Sequence, residues 1–240
     1  MSLNELASKI KSLAGASTAD LIGIAPGSAF SAEELGELGA QFGPVRSVIV
    51  LAQRVIDPIQ TVRFNSRGSY QESHIAASFG DAMLRDACWR VVEILRKAGF
   101  RAAVPRNLRY GAPDPRHGLS YKKAAVLAGL GVLGKNQLLI HPQWGPWLYL
   151  RTVVTDAPLP ADSQNGFSPC TDCSRCLEAC SSGALSEQGF DRSACEFSYK
   201  TVSEGAVRLS PHGQINCEEC MRACPVGVVP PRLTLGAQQP

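Results

Sequence analysis

The sequence predicts an α/β (α+β) protein: an N-terminal mixed sheet with flanking helices over residues 1–160, a smaller cysteine-bound module over 167–230, and a tail, 231–240. Three observations predict it. Apolar runs of strand character alternate with stretches of helical period in the first part. Eight of the nine cysteines fall between Cys170 and Cys224. Between the two regions, Asp156 to Pro169 is rich in Pro, Ala, Ser and Asp, the composition of a linker.

Residues 3–14 place Leu3, Leu6, Ile10 and Leu13 on one face of a short amphipathic helix. Asp20 to Ala25 reads as a strand stopped by Pro26-Gly27, and a partly helical connection follows around residues 31–39. Ser47 to Ala52 is a continuous apolar run, as expected of a strand buried on both faces. From Ser73 to Ala98 no proline interrupts a helical pattern carrying Ile75, Met83, Ala87, Val91, Ile94 and Leu95, and Gly99 ends it. Cys88, inside that helix, reads as a small buried hydrophobe. A short strand at residues 101–104 leads into Pro105–Ser120, whose Pro, Gly, Arg and Asp content marks an exposed loop. Loops of such length inside compact domains tend to be functional.

Tyr121 opens a helical segment that runs into Gly129, Gly131 and Gly134. Their G-x-G-x-x-G spacing, with Asp156 downstream, suggests a dinucleotide fingerprint. That fingerprint must follow a strand and open a helix. Here a helical segment comes first, and the strands Leu138 to His141 and Trp147 to Thr155 come after, so a nicotinamide site is set aside. The glycines still allow a close backbone approach.

The cysteines carry the sharpest chemistry. Cys170, Cys173, Cys176 and Cys180 follow C-x2-C-x2-C-x3-C; Cys195 stands alone; Cys217, Cys220 and Cys224 follow C-x2-C-x3-C, with Pro225 behind. Three thiolates two residues apart on a tight loop wrap three corners of a cube. In two-cluster ferredoxins the fourth cysteine of each run ligates the other cluster. Cys170, Cys173, Cys176 and Cys224 are therefore assigned to one 4Fe–4S cluster. Cys180, Cys217 and Cys220, completed by Cys195, are assigned to a second, in a ferredoxin-like module. Zinc ribbons use separated C-x2-C pairs, and a third cysteine at the same interval does not suit one tetrahedral ion. Disulfides require an oxidising compartment, and the polar start MSLNELASKIKS argues against export.

At 240 residues and 45% hydrophobic, the chain can bury a real core. No apolar run reaches the roughly 18 residues of a membrane span, so a cytoplasmic location without membrane is expected. The net charge of +3 is uneven: 18 basic and 13 acidic side chains in residues 1–166, against 5 and 8 in residues 167–230. Eleven Lys or Arg between Arg85 and Lys135 face three acids. They make either a solvated helix face or a site for a phosphate.

Taken together, Arg46-Ser-Val-Ile-Val-Leu-Ala, Ala128-Gly-Leu-Gly-Val-Leu-Gly-Lys-Asn with Leu138-Leu-Ile, Val154-Thr-Asp and the eight cysteines resemble the epoxyqueuosine reductase family. Reductive dehalogenases are more distantly similar. The resemblance implies an N-terminal domain that binds cobalamin, clusters that reduce it, and an acid that protonates the substrate. It places Gly129, Gly131, Gly134, Lys135 and Asn136 against the corrin. Family members carry an acid in an Asp-Ser-x-Pro segment, where this chain has Pro113-Asp-Pro-Arg-His-Gly-Leu-Ser. Asp114 is the nearest acid, with His117 and Tyr110 as other proton donors. Longer members append helical repeats that grip transfer RNA. Their lack in this sequence argues against nucleic acid as a partner and for a small-molecule substrate, with an external low-potential electron donor. Two other readings stand beside this one: an electron-transfer protein, flavin-binding or partner-docking, and a corrinoid carrier or reductase.

Overall fold

The computed structural model describes residues 1–55, 69–105, 119–163, 166–195 and 219–227. It divides into two compact units. One comprises Met1–Arg54, Asp81–Val132 and Leu148–Phe167; the other comprises Val55–Gly80, Leu133–Trp147 and Ser168–Pro240. Residues 133–147 thus group with the cysteine segment rather than with the sheet that precedes them.

The first unit is built on a four-stranded sheet in the order β1 (Leu21–Pro26), β2 (Ser47–Arg54), β6 (Leu148–Thr155), β3 (Ala102–Ala103). All three pairings are antiparallel, with Ile24 opposite Ile49 and Ile49 opposite Val153. The expected mixed sheet is therefore corrected to an antiparallel one. The apolar run of β2 is nevertheless buried along seven of its eight residues. Continuous burial signals cover on both faces, whatever the direction of the neighbouring strands.

Both covers follow from strand alternation. Ile22, Ile24, Ile49, Leu51 and Val153 share one core with Leu6 and Ile10 of α1 (Leu3–Lys11) and with Leu84, Val91 and Leu95 of α3 (Ser69–Lys97). The helix α4 (Tyr121–Leu127) packs against β1, β2 and β6 with Ala124 and Ala125 fully buried. Gly23 of β1 permits that approach: a Cβ there would lie 2.6 Å from the Ala128 carbonyl oxygen. Met83, expected on the buried face of α3, is 42% exposed, and Cys88 and Val92 are buried in the core. The apolar stripe is rotated from the expected one toward Leu84, Cys88, Val91 and Leu95.

Local chemistry fixes the helix starts. Ser2 accepts from the Glu5 amide while Glu5 accepts from the Ser2 amide, and Ser31 with Glu34 repeats this capping box at α2 (Ala32–Phe42). Gly36, at φ +46°, breaks α2 in its middle.

The stretch expected as a linker is stitched to the first unit through residue 162. Ala157 and Leu159 are buried. The buried Ser47 hydroxyl donates to the Ala157 carbonyl at 2.8 Å and accepts from the Leu159 amide at 3.0 Å. Asp162 accepts from the Ile24 amide at 2.9 Å and pairs with Lys11. Prolines 158 and 160 lack an N–H, so a few side-chain bonds hold this extended piece in place of a ladder.

Gly23→Ala is expected to destabilise the fold by about 1–3 kcal/mol through overpacking. Gly166→Ala, where a Cβ meets nothing within 4 Å, should fall within about 0.5 kcal/mol of wild type. Urea midpoints of the two variants check this.

Candidate functional site

The site lies within the second unit. Cys170 sits on a turn, Cys173 just after it, Cys176 on the short helix α5 (Arg175–Glu178), and Cys224 just after the helix Glu219–Arg222. The two helices pack together, and the Ser181 amide beyond α5 donates to Glu219 at 3.3 Å. Cys224 and the cysteines 48 or more residues before it are thereby brought to one small hollow, partly open to solvent and lined by Cys170, Cys173, Cys176 and Cys224. Its walls are Pro169, Ile140, Pro225 and Val226, with Lys135 and Asn136 at its side.

The electrostatics of the four sulfurs are those of a site for a cation. Burial pushes the thiols of Cys176 and Cys224 up, and charge on Cys170 and Cys173 pushes both further, so the four are close enough to oppose one another's ionisation. A metal core reverses this, because a coordinated thiol loses its proton outright. Among the described residues no three His, Cys, Asp or Glu are grouped tightly enough to hold a single metal ion. The thiolates of a cubane bind four different irons and stand further apart than ligands of one ion. Four soft sulfur donors around an apolar hollow fit an iron–sulfur cluster. Of the second set, Cys180, Cys195 and Cys220 are partly buried and free of disulfides, and Cys217 lies outside the described residues.

A turn that the sequence reading passed over packs against Val226, one of the residues lining the hollow. His141 and Gly145 bridge, and β5 (Leu139–Ile140) leads into them. Gly145, at φ +57°, packs so closely that a Cβ would overlap the Val226 carbonyl, and Gly227, at φ +82°, meets Trp144 in the same way. Next to this contact the Arg222 guanidinium lies 5.2 Å above the ring of buried Trp147. The local signal was His141-Pro-Gln-Trp-Gly-Pro-Trp, dense in turn residues and tryptophan.

Half-buried His141 stacks on Trp144 at 5.0 Å, and its Nδ1 accepts from the amides of Gln143 and Trp144 at 3.2 and 3.3 Å. Burial holds its pKa below the ordinary imidazole range.

The glycine segment divides between the two units. Gly129, at φ +72°, faces the Ser163 carbonyl, 2.5 Å from where a Cβ would stand. Gly134 faces Asn136 and Ile140 of its own unit, each 2.7 Å from such a Cβ. Gly131 has φ +154°. In Gly129 and Gly134 the close approach is therefore to the chain itself. Helix α4 precedes the glycines, and β4 (Val132–Leu133) and β5 follow. Asp156 accepts from both the backbone and the guanidinium of Arg101, at 2.8 and 2.9 Å. Lys135 and Asn136 line the cysteine hollow. Tyr110, Asp114 and His117 lie outside the described residues. At the borders of that stretch, buried Tyr121 donates to the Pro105 carbonyl at 3.0 Å.

No protein-family model matches the chain. It is similar to curated epoxyqueuosine reductases: 41% identical over 107 residues to that of Synechococcus sp. strain RCC307, covering 43% of this chain and 33% of the relative, and 26% over 189 residues to that of Bacillus anthracis, covering 75% and 48%. The chain thus spans about a third to a half of these relatives. In fold it is similar to epoxyqueuosine reductase from Bacillus subtilis, with TM-score 0.65 and 17% identity over 93% of this chain and 66% of that one. That structure has an aspartate-bearing catalytic loop swung out of its active site. Another epoxyqueuosine reductase, bound to a modified tRNA stem loop, gives TM-score 0.62 and 16% identity over 93% and 66%. A reductive dehalogenase for which B12-dependent dehalogenation is suggested gives 0.64 and 21% over 93% and 32%. With a tRNA complex among these relatives, the expectation that argued against nucleic acid is not borne out. No helix among the described residues is long and apolar enough to cross a membrane.

His141 provides a test of this turn. Its folded pKa lies below that of the unfolded chain, about 6.5, so the unfolded state binds the proton more readily. Stability is then fully present above that value and declines as pH falls below it. His141→Asn, whose Oδ1 can accept in place of Nδ1, is expected to flatten this decline in urea midpoints measured from pH 7.5 to 5.

Proposed function

We propose that the chain is a reductase of the epoxyqueuosine reductase type that passes electrons through two 4Fe–4S clusters to a cobalamin. The observation that supports this most directly is the meeting of Cys224 with Cys170, Cys173 and Cys176 at one hollow. Crosswise ligation in a two-cluster module requires that meeting. Cys170, Cys173, Cys176 and Cys224 would hold one cluster, and Cys180, Cys195, Cys217 and Cys220 the other. When bound, clusters supply single electrons and a corrinoid supplies low-potential reduction of the substrate, chemistry that side chains cannot provide.

The chain's own part is to seat these groups and to move a proton. Ile140, Pro169, Pro225 and Val226 give the sulfurs an apolar surround. Asp114, His117 or Tyr110 would protonate the reduced substrate. Cobalamin is assigned on the likeness in fold to a B12-dependent dehalogenase, and flavin is the alternative. No side chain of the glycine segment by itself selects a corrin. An external low-potential donor would supply the electrons. The first substrate to try is a tRNA stem loop carrying epoxyqueuosine, as bound by the similar reductase.

Metal analysis of protein purified without oxygen from cobalamin-fed cells is expected to give about eight iron and one cobalt per chain. Iron without cobalt would favour flavin. Cys170→Ser and Cys195→Ser should each lose about four irons and keep the other four. Retention of all the iron in Cys195→Ser would remove that residue from the ligand set. Asp114→Asn is expected to lower substrate turnover by about 10²-fold or more while cobalt remains bound. Full turnover would pass the role to His117 or Tyr110.

A further inference from the structure

Lys135 and Asn136 are neighbours that serve the cysteine hollow differently. Asn136 is buried, and its amide is spent on backbone: Oδ1 accepts from Leu138 at 3.1 Å, and Nδ2 reaches the Cys220 carbonyl at 3.5 Å. Lys135 brings charge. Among the described residues lining the hollow, it alone carries a cationic side chain. Its Nζ lies 3.6 Å from Glu187, in the tight turn between β7 (Leu185–Ser186) and β8 (Gly189–Phe190). The Lys135 side chain is 31% exposed and that of Glu187 66%. A pair this long and this open contributes little to stability. What it does set is the electrostatic potential at the side of the hollow.

We propose that Lys135 sets the electron affinity of the cluster held by Cys170, Cys173, Cys176 and Cys224, with Glu187 as the counterion that moderates it. The inference rests on the cluster assignment above. A four-thiolate cluster is anionic, and reduction adds one more electron, taken from an external one-electron donor and passed on unchanged in number. No bond to Lys135 forms or breaks. A fixed cation beside an apolar hollow favours the reduced form over the oxidised one and so raises the reduction potential. Glu187 opposes that effect from the more exposed end of the pair. Charge outside the coordinating sulfurs is an established means of tuning a metal centre. Lys135 therefore acts through the cluster and is no ligand itself.

The test is a redox titration of the full-length, anaerobically purified protein, followed by electron paramagnetic resonance, with iron and sulfide counted in each sample. In Lys135→Gln the ratio of reduced to oxidised cluster at a fixed potential should fall about three- to tenfold for one cluster only, tenfold corresponding to about 59 mV for a one-electron couple. Lys135→Arg should restore the wild-type value, and Glu187→Gln should shift the same cluster the opposite way. An unchanged midpoint in Lys135→Gln at full iron content, or equal shifts of both clusters, would overturn the proposal. If Lys135→Gln loses iron, the exposed Glu187→Gln variant decides: an upward shift supports the proposal and no shift overturns it. Wild-type protein without iron would instead refute the cluster assignment, and this inference with it.

Discussion

The cysteine hollow depends on two glycines pressed against each other's backbone. Gly145 lies on the Val226 carbonyl and Gly227 on Trp144, each with positive φ and no room for a Cβ. Cys224 is two residues before Val226, so this contact fixes where the last thiol arrives. Packing of α5 against the helix Glu219–Arg222 fixes the other three relative to it. A four-sulfur site assembled from positions far apart in sequence loses chain entropy at every connection. Two backbone contacts that admit no alternative side chain keep that loss from being repeated as fluctuation.

The first unit reaches rigidity by different means. Its central strand β2, and β6 from Thr152 to Thr155, are covered on both faces, and several polar groups at that interior carry bonds of the scaffold. Ser47 ties two backbone groups of the segment after β6, and Asp162 ties β1 to the same segment. Thr155 accepts from the Ala157 amide and donates to the Arg101 carbonyl. Buried hydroxyls of this kind offset their desolvation by replacing missing ladder bonds. Here they let a proline-bearing stretch lie against a sheet it cannot join as a full strand.

How much of this was legible varies with the range of the interaction. The meeting of Cys224 with Cys170, Cys173 and Cys176 could be read from spacing, because cluster geometry imposes a rule that survives in one dimension. The strands β2 and β6 and the helices α1 and α3 were legible from period and run length. Strand direction was not, because an apolar run such as Ser47 to Ala52 reports how many faces are covered and says nothing of its neighbours. The contact of the His141–Gly145 turn with Val226 was missed for a similar reason: turn residues mark the turn and leave no trace of the distant carbonyl it meets. Pro and Ser between Asp156 and Pro169 suggested a free linker, since composition does not show that Ser47, more than a hundred residues earlier, would bind it. Lys135 and Asn136 were assigned to a corrin by resemblance, and the cysteine hollow is where they are found.

The hydrogen bond from Tyr121 to the Pro105 carbonyl has a consequence of another kind. It joins the last residue before one undescribed stretch to the first turn of the helix after it, through a side chain buried in the first unit. Whatever runs between them is closed at its base by a bond belonging to the scaffold. Between two ends held this way, doubling the number of intervening residues costs only about 0.6 kcal/mol in closure entropy for a flexible chain. The two ends are therefore held by the scaffold itself, and a change of length between Pro105 and Tyr121 is absorbed without altering the sheet.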